Sequence, residues 1–167
     1  MSLAWNASEL LTGRKFQARR PFVAFKNGKQ SYSSTTSLQS DADLKMVLPA
    51  GGTYLVEVNF GTTGATAGDI TCGWDVTGDA TVHRSTQAMT LAGTTSSDTT
   101  VISCKQSTSA WASGTALTPA PCAVREKLVV VTGNQPSTLT LRWAQNTSST
   151  TATSVTDYGW AVAHRLD

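Results

Sequence analysis

The sequence predicts an all-β fold, an antiparallel β-sandwich of jelly-roll-like form with an extended N-terminal arm. Three observations predict it. Apolar and polar residues alternate along segment after segment, at the period of two that marks a half-buried strand. Thr and Ser together make up about a quarter of the 167 residues, while charged residues reach only 14%, against a usual ~25%. β-branched Thr favours strands and Ser favours turns. Gly, Pro and Asn break the chain at short intervals, and no stretch carries a convincing helical period.

Residues 1–20 read as an arm. Trp5, Leu10 and Leu11 are its apolar anchors, and Arg14, Lys15, Arg19 and Arg20 its cations. Ser8-Glu9-Leu10-Leu11 is too short to hold a helix alone, so order there must come from a partner. Pro21 opens the body, residues 21–167, which reads as a single domain. Phe22–Phe25 predicts a short strand, joined through Asn27-Gly28 to Gln30–Ser34 as a hairpin with a type I′ turn. Ser33–Ala42 predicts a polar loop. Leu44–Leu48 turns Leu44, Met46 and Leu48 inward. Pro49-Ala50-Gly51-Gly52 is a turn. Thr53–Phe60 sends Tyr54, Val56, Val58 and Phe60 inward and Leu55, Glu57 and Asn59 outward. After a Thr/Gly loop over 61–68, Asp69–Val76 places Ile70, Cys72, Trp74 and Val76 on one face.

Gly78-Asp79 turns the chain into two weaker strands, Ala80–Arg84 and Thr86–Leu91, followed by Thr99–Lys105. Gln106–Pro121 predicts a long loop carrying Trp111. Ala123–Thr132, with Leu128-Val129-Val130-Val131, is strongly β. Gly133-Asn134-Gln135-Pro136 turns into two alternating segments around a Thr/Ser-rich turn, which read as a C-terminal hairpin. The first puts Leu139, Leu141, Trp143 and Gln145 on one face. The second puts Tyr158, Trp160, Val162, His164 and Leu166 on one face, expected to point inward.

A chain of this length buries about two-thirds of its unfolded surface, so it needs no covalent staples. No apolar run approaches the ~20 residues of a membrane span, and no signal-peptide h-region follows Leu3–Trp5. The sequence therefore predicts a soluble protein made in the cytosol. Cys72, Cys104 and Cys122 match no zinc spacing. Cys72 fits a buried strand face, and a Cys104–Cys122 bridge stays open.

Charge is unevenly spread. Residues 1–30 hold Arg14, Lys15, Arg19, Arg20, Lys26 and Lys29 against Glu9, on a chain of net +2, so the rest is mildly acidic. A basic leader steers toward an acidic partner or is simply solvated. Nucleic acid is disfavoured as that partner, because the body has neither a basic face nor an aromatic platform among cations.

The sequence contains no HExxH, GxSxG, Walker A or GxGxxG pattern. Its two histidines, His83 and His164, lie on strands, where packing or plain exposure accounts for them. Asp69, Asp75, Asp79, Asp98 and Asp157 sit at strand ends and turns, the ordinary place for Asp. Asp75 and Asp79 lack a calcium-loop spacing. No catalytic residue, metal ligand or cofactor is expected. Trp74, Trp143 and Trp160 read as core. Trp111 and Tyr158 are the candidate surface ligand contacts, with Trp111 folded back over the sandwich as the competing reading.

The segments LKMVLPAGGTYLVEVNF, GATAGDITCGWDV and LTLRWAQNTSSTTATSVTDYGWAVAHRL resemble, in order and spacing, small virion proteins of tailed bacteriophages, especially those of actinobacteria. The matching residues are Leu48, Pro49, Thr53 and Tyr54; Gly68, Asp69, Ile70 and Trp74; Leu139, Leu141, Trp143, Ala144, Gln145, Asn146 and Thr147; and Trp160 and Arg165. After Trp74 the pattern departs, since Asp75-Val76-Thr77-Gly78 replaces an apolar, Pro-containing segment.

The resemblance implies a jelly-roll-like module, homotrimeric, displayed on the outer surface of a virion and made in the bacterial host cytoplasm. It implies a capsid decoration or minor capsid protein whose partners are the major capsid protein and itself, with neither membrane nor nucleic acid. The anchoring residues would be Trp5, Leu10, Leu11, Arg14, Lys15, Arg19 and Arg20. The alternative is a tail or fibre tip that binds host-surface glycan through Trp111, Tyr158 and the loops 61–68 and 106–121.

Overall fold

The computed structural model describes residues 20–64, 68–91, 99–106, 108–115 and 121–167, and for 99–106 the backbone only. These residues form twelve strands: β1 (Phe22–Phe25), β2 (Gln30–Tyr32), β3 (Gln39–Leu48), β4 (Thr53–Thr63), β5 (Ile70–Thr77), β6 (Thr81–Met89), β7 (Thr99–Gln106), β8 (Trp111–Ser113), β9 (Cys122–Val131), β10 (Ser137–Ala144), β11 (Thr153–Val155) and β12 (Trp160–Arg165).

Their pairing is nested. β6 pairs with β7, β5 with β8, β4 with β9, β3 with β10, β2 with β11 and β1 with β12, all antiparallel. The chain is thus one long antiparallel ribbon folded over on itself. Folding the ribbon produces two sheets. The larger runs β1-β12-β4-β9-β6-β7, with β11 joining β2 to β4, and the smaller runs β3-β10-β5-β8. Successive strands from β3 to β10 cross between the sheets except at the β6–β7 step, which is the jelly-roll plan.

The core lies between the sheets and follows the alternation. Leu44, Met46 and Leu48, then Tyr54, Val56, Val58 and Phe60, then Ile70, Cys72 and Trp74 are buried as expected. On β9 the inward set is Cys122, Val124, Glu126, Leu128 and Val130. On β10 it is Leu139, Leu141 and Trp143, with Gln145 just beyond the strand.

Several local expectations are corrected. Asn27-Gly28 does bend the chain, with Gly28 at φ 131°, but β1 and β2 do not form a hairpin. β1 joins β12 and β2 joins β11, because β12 claims the end of β1. Its ladder runs on to the Lys26 amide, which donates to the Gly159 carbonyl at 2.8 Å, while the Lys26 side chain turns in to Asp41. The C-terminal hairpin is also absent. β10 lies in the smaller sheet between β3 and β5, and β12 in the larger between β1 and β4. The Thr/Ser-rich segment is therefore a crossover, stapled by the buried Gln145 side chain. Its Nε2 donates to the Thr151 carbonyl at 2.8 Å, and its Oε1 accepts from the Ser149 amide at 3.1 Å.

The faces of β12 are the reverse of the expected ones. Ala161 and Ala163 are fully buried, Trp160 and Val162 are half-buried, and His164 and Leu166 are exposed. Space decides this. A Cβ on the preceding Gly159 would come within 2.5 Å of Lys26 and 3.3 Å of Phe60, so small side chains occupy the inward positions. Strand β3 begins at Gln39, inside the expected polar loop. Residues 81–89 form one strand with a register shift between Arg84 and Thr86. Trp111–Ser113 pairs with β5 as strand β8.

At one end of the sandwich three turns are tied together. The Asp79 carboxylate accepts from the amides of Asn134 at 2.9 Å and Gln135 at 3.3 Å. The Thr132 hydroxyl donates to the Pro49 carbonyl at 2.8 Å, and the Gly51 amide donates to the Gly133 carbonyl at 2.7 Å. A Cβ at Gly133 would lie 2.1 Å from an Asp79 carboxylate oxygen. Gly133→Ala pushes the exposed Asp79 carboxylate off the Asn134 and Gln135 amides and is expected to lower unfolding stability by about 0.5–1.5 kcal/mol, read from urea denaturation midpoints.

The surface carboxylates set a pH dependence. The Asn134 amide holds Asp79 below the ordinary carboxyl value of 3.8. The Asn27 amide does the same for Asp43, and the Arg165 guanidinium for Asp167. Folded-state values below the unfolded one mean stability that is complete above 3.8 and is lost as pH falls through the lower folded values. Thermal midpoints are expected to hold level down to about pH 5 and then to fall steadily on further acidification.

Candidate functional site

Strand alternation carries one carboxyl into the core. Glu126 follows the inward phase of β9 between Val124 and Leu128 and is 2% exposed. A carboxylate buried without partners costs several kcal/mol, and here the partners come from both sheets. From the smaller sheet, the Trp74 indole N–H on β5 donates to Oε2, and the Trp111 indole N–H on β8 donates to Oε1 at 2.8 Å. From the larger sheet, the Thr86 hydroxyl donates to Oε1 at 2.9 Å, and Arg84 Nε lies 3.9 Å from the same oxygen. Arg84 is itself buried and donates to the Ser109 carbonyl at 2.6 Å.

A second carboxyl closes another part of the sandwich. Asp41 on β3 is 2% exposed. Lys26, just after β1, reaches its two oxygens at 3.1 and 3.0 Å, and the Trp143 indole N–H on β10 donates at 3.2 Å. Asp41 also accepts from the amides of Asp43 at 3.0 Å and Leu44 at 2.9 Å. These last two bonds shape an irregularity in β3. The register with β10 passes from Thr140↔Lys45 to Arg142↔Ser40, so the extra residues bulge and bring Asp41 onto the inward face.

Both carboxyls are buried and each accepts from several donors, while Arg84 Nη1 beside Glu126 is buried without a partner among the described residues. Such an arrangement positions the two sheets; it offers no open coordination or reacting position to a ligand. The nearby Cys72 thiol is fully buried, and burial pushes its pKa well above the ordinary 9.0, with the Glu126 carboxyl acting the same way. A thiol held protonated is a poor nucleophile. Among the described residues no group of three or more His, Cys, Asp or Glu could hold a metal ion.

The residues singled out from the sequence separate. Trp5, Leu10, Leu11, Arg14, Lys15 and Arg19 lie outside the described residues, and Arg20, the first described one, is exposed. Trp111 is 9% exposed, with its indole N–H spent on Glu126. The folded-back alternative holds for it, and the exposed loop indole is corrected. Tyr158 is 72% exposed, in the turn between β11 and β12 of the larger sheet. The structure therefore does not join Trp111 and Tyr158 into one surface. The Cys104 side chain is outside the described residues, so the bridge to Cys122 is too. Cys122 is buried, with Sγ 3.6 Å from Met89 Sδ.

Sequence reasoning missed Glu126 and Asp41. Glu126 had a signal, being in phase with Val124, Leu128 and Val130 on an apolar strand face. Asp41 had none, because it fell in a stretch that reads as loop.

A scan against protein-family models finds no match, and a search of curated proteins finds none either. Among solved structures, the chain overlaps infectious bursal disease virus, Gx strain, at 9% identity and TM-score 0.22, covering 88% of this chain and 42% of the other. The Gt strain gives 10% identity and TM-score 0.23 over 99% and 45% of the two chains. The VP2 subviral particle of the same virus gives 8% and 0.21 over 89% and 42%. The chain spans less than half the length of these neighbours, and overlap at this level carries no inference about its role.

Glu126→Ala leaves two buried indole N–H groups and the Thr86 hydroxyl without their acceptor, and the buried Arg84 without its counter-charge. It is expected to cost about 3–5 kcal/mol. Glu57→Ala breaks only the exposed pair with Lys127 at 3.2 Å and is expected to cost under about 1 kcal/mol. Parallel urea titrations of the two variants check the contrast.

Proposed function

We propose that this chain is a structural protein of a tailed-phage virion, a decoration protein on the outer capsid surface held to the major capsid protein by residues 1–20. The observation that carries this reading is where the three resembling blocks fall. Parts of all three, far apart in sequence, meet in the smaller sheet. Leu48 ends β3, Ile70 and Trp74 lie on β5, and Leu139, Leu141 and Trp143 lie on β10 between them, while Thr53 and Tyr54 on β4 and Trp160 and Arg165 on β12 belong to the larger sheet. Leu139 faces Met46 on one side, and Leu141 faces Trp74 on the other.

The loop residues of the pattern close the same unit. The Asn146 and Thr147 amides both donate to the Gly68 carbonyl at 3.0 Å, and the Thr71 hydroxyl lies 3.0 Å from Asn146 Oδ1. Asp69 adopts φ 45°, a conformation in which Asp is one of the tolerated residues. Trp143 and Gln145 are the pattern residues that brace Asp41 and the inter-sheet crossover. The shared wording therefore supports a shared sandwich rather than a shared reaction centre.

The anchoring residues follow from their chemistry. Trp5, Leu10 and Leu11 each contribute about 1.5–3 kcal/mol if fully buried in a capsid groove. Arg14, Lys15, Arg19 and Arg20 pair with capsid carboxylates. A homotrimer would present three such arms, and linked weak contacts gain by effective concentration. The body enters the larger sheet through β1, the strand at one end of its order.

Co-sedimentation with purified heads and tails that lack the protein is the test. Saturable binding to heads is expected, and removal of residues 2–20 should abolish it while leaving the far-ultraviolet spectrum of a β protein. Binding by the truncated chain would refute the anchor. Binding to tails alone would assign the tail-tip role.

A further inference from the structure

The outward face of the larger sheet holds features that neither the core nor the arm explains. One cross-strand rung reads Phe25, Trp160, Asn59, Arg125 and Gln87, in register across β1, β12, β4, β9 and β6. Phe25 is 67% exposed, Arg125 and Gln87 are exposed, and Trp160 and Asn59 are half-buried. The next rung carries Glu57, Lys127 and Ser85. All of these except Phe25 border an open groove of about 550 Å³, within the size range of small-ligand sites.

We propose that this groove binds a carboxylate-bearing saccharide, with Trp160 as its apolar wall and Arg125 as its anion contact. The proposal stands apart from the location of the protein on a head or a tail. Three observations carry it. First, the charges are unequal. Lys127 is paired with Glu57 at 3.2 Å, whereas the Arg125 guanidinium has neither hydrogen bond nor ion pair among the described residues. An exposed guanidinium is suited to a planar carboxylate, which it grips with two parallel hydrogen bonds.

Second, Asn59, half-buried, lines the groove and brings a side-chain amide to a hydroxyl-rich ligand. Gln87 and Ser85 add amide and hydroxyl groups that both donate and accept.

Third, the backbone is unavailable. β12, β4, β9 and β6 each have neighbours on both sides, so a peptide cannot bind here by adding a strand. Recognition must run through side chains, and this set offers an indole for the C–H face of a sugar ring and amides for its hydroxyls. At about 4.8 Å between strands the rung spans several sugar-ring widths, so an oligosaccharide fits it better than a single sugar.

Titration of the full chain with oligogalacturonate, and separately with the neutral cello-oligosaccharide of similar length, tests the proposal by calorimetry. Saturable binding of oligogalacturonate is expected, at least about tenfold tighter than the neutral probe. Trp160→Ala should weaken it by about tenfold or more, and Arg125→Gln should remove the preference for the acidic probe. Neither side chain belongs to the buried core, and unchanged thermal midpoints would show that each variant is folded. Should Trp160→Ala unfold, Gln87→Ala, at an exposed position of the same rung, is expected to weaken binding with the fold intact. The proposal is overturned by three outcomes: no saturable binding up to about 10 mM, equal binding of both probes, or binding unchanged in the folded variants.

Discussion

The Glu126 carboxyl accepts hydrogen bonds from two indoles on the facing sheet and from a hydroxyl on its own. The aliphatic contacts around it are favourable but non-directional. Leucines and valines on two flat faces tolerate a small slide of one sheet over the other. Hydrogen bonds to a buried carboxyl do not, because a lost donor leaves a polar group unpaired in a low dielectric. Trp74 and Trp111 lie on β5 and β8, which pair with each other, and Thr86 and Glu126 lie on β6 and β9, which do likewise. The relative position of the two sheets is thereby fixed at one point, and Lys26, Asp41 and Trp143 fix it at another.

Two fixed points matter because of the nested topology. Each strand pairs with one at the mirrored position in the chain, so the outermost pair, β1 with β12, joins segments at opposite ends of the body. Local turns help little with such pairings, and closing them costs loop entropy before contacts repay it. Asp41 and Lys26 act where this closure occurs, linking the end of β1 to β3 and β10. The turn staples at Asp79, Thr132 and Gly133 act on the β3–β4, β5–β6 and β9–β10 turns. Polar interactions inside this protein thus sit where apolar packing would leave the arrangement undetermined.

The same economy separates the inner and outer faces. Inward, the sheets hold most of the tryptophan and the two buried carboxyls with their donors. Outward, the larger sheet keeps on one rung an indole, a half-buried amide and a guanidinium with neither hydrogen bond nor ion pair among the described residues. The virion reading rests on the interior unit assembled from β3, β5 and β10, and the ligand reading on the opposite sheet. The two can coexist in one molecule.

By itself the sequence determined the all-β class, the inward sets of β3, β4, β5 and β10, and the turns at Pro49–Gly52 and Gly78-Asp79. These depend on side-chain alternation and local backbone preference, which act over a few residues. Only the tertiary structure decided what pairs with what. Asn27-Gly28 bends the chain, but β12 and β11, more than a hundred residues on, claim the flanking strands. The C-terminal segments alternate like a hairpin, yet each is claimed by neighbours in a different sheet. In β12 alternation gave two faces without saying which is inside, and the space left around Gly159 and Phe60 chose the alanines. Trp111 reads as loop until Glu126 offers its indole an acceptor. In each case the deciding group is distant in sequence, and a pattern read along the chain carries no information about volume or charge arriving from elsewhere.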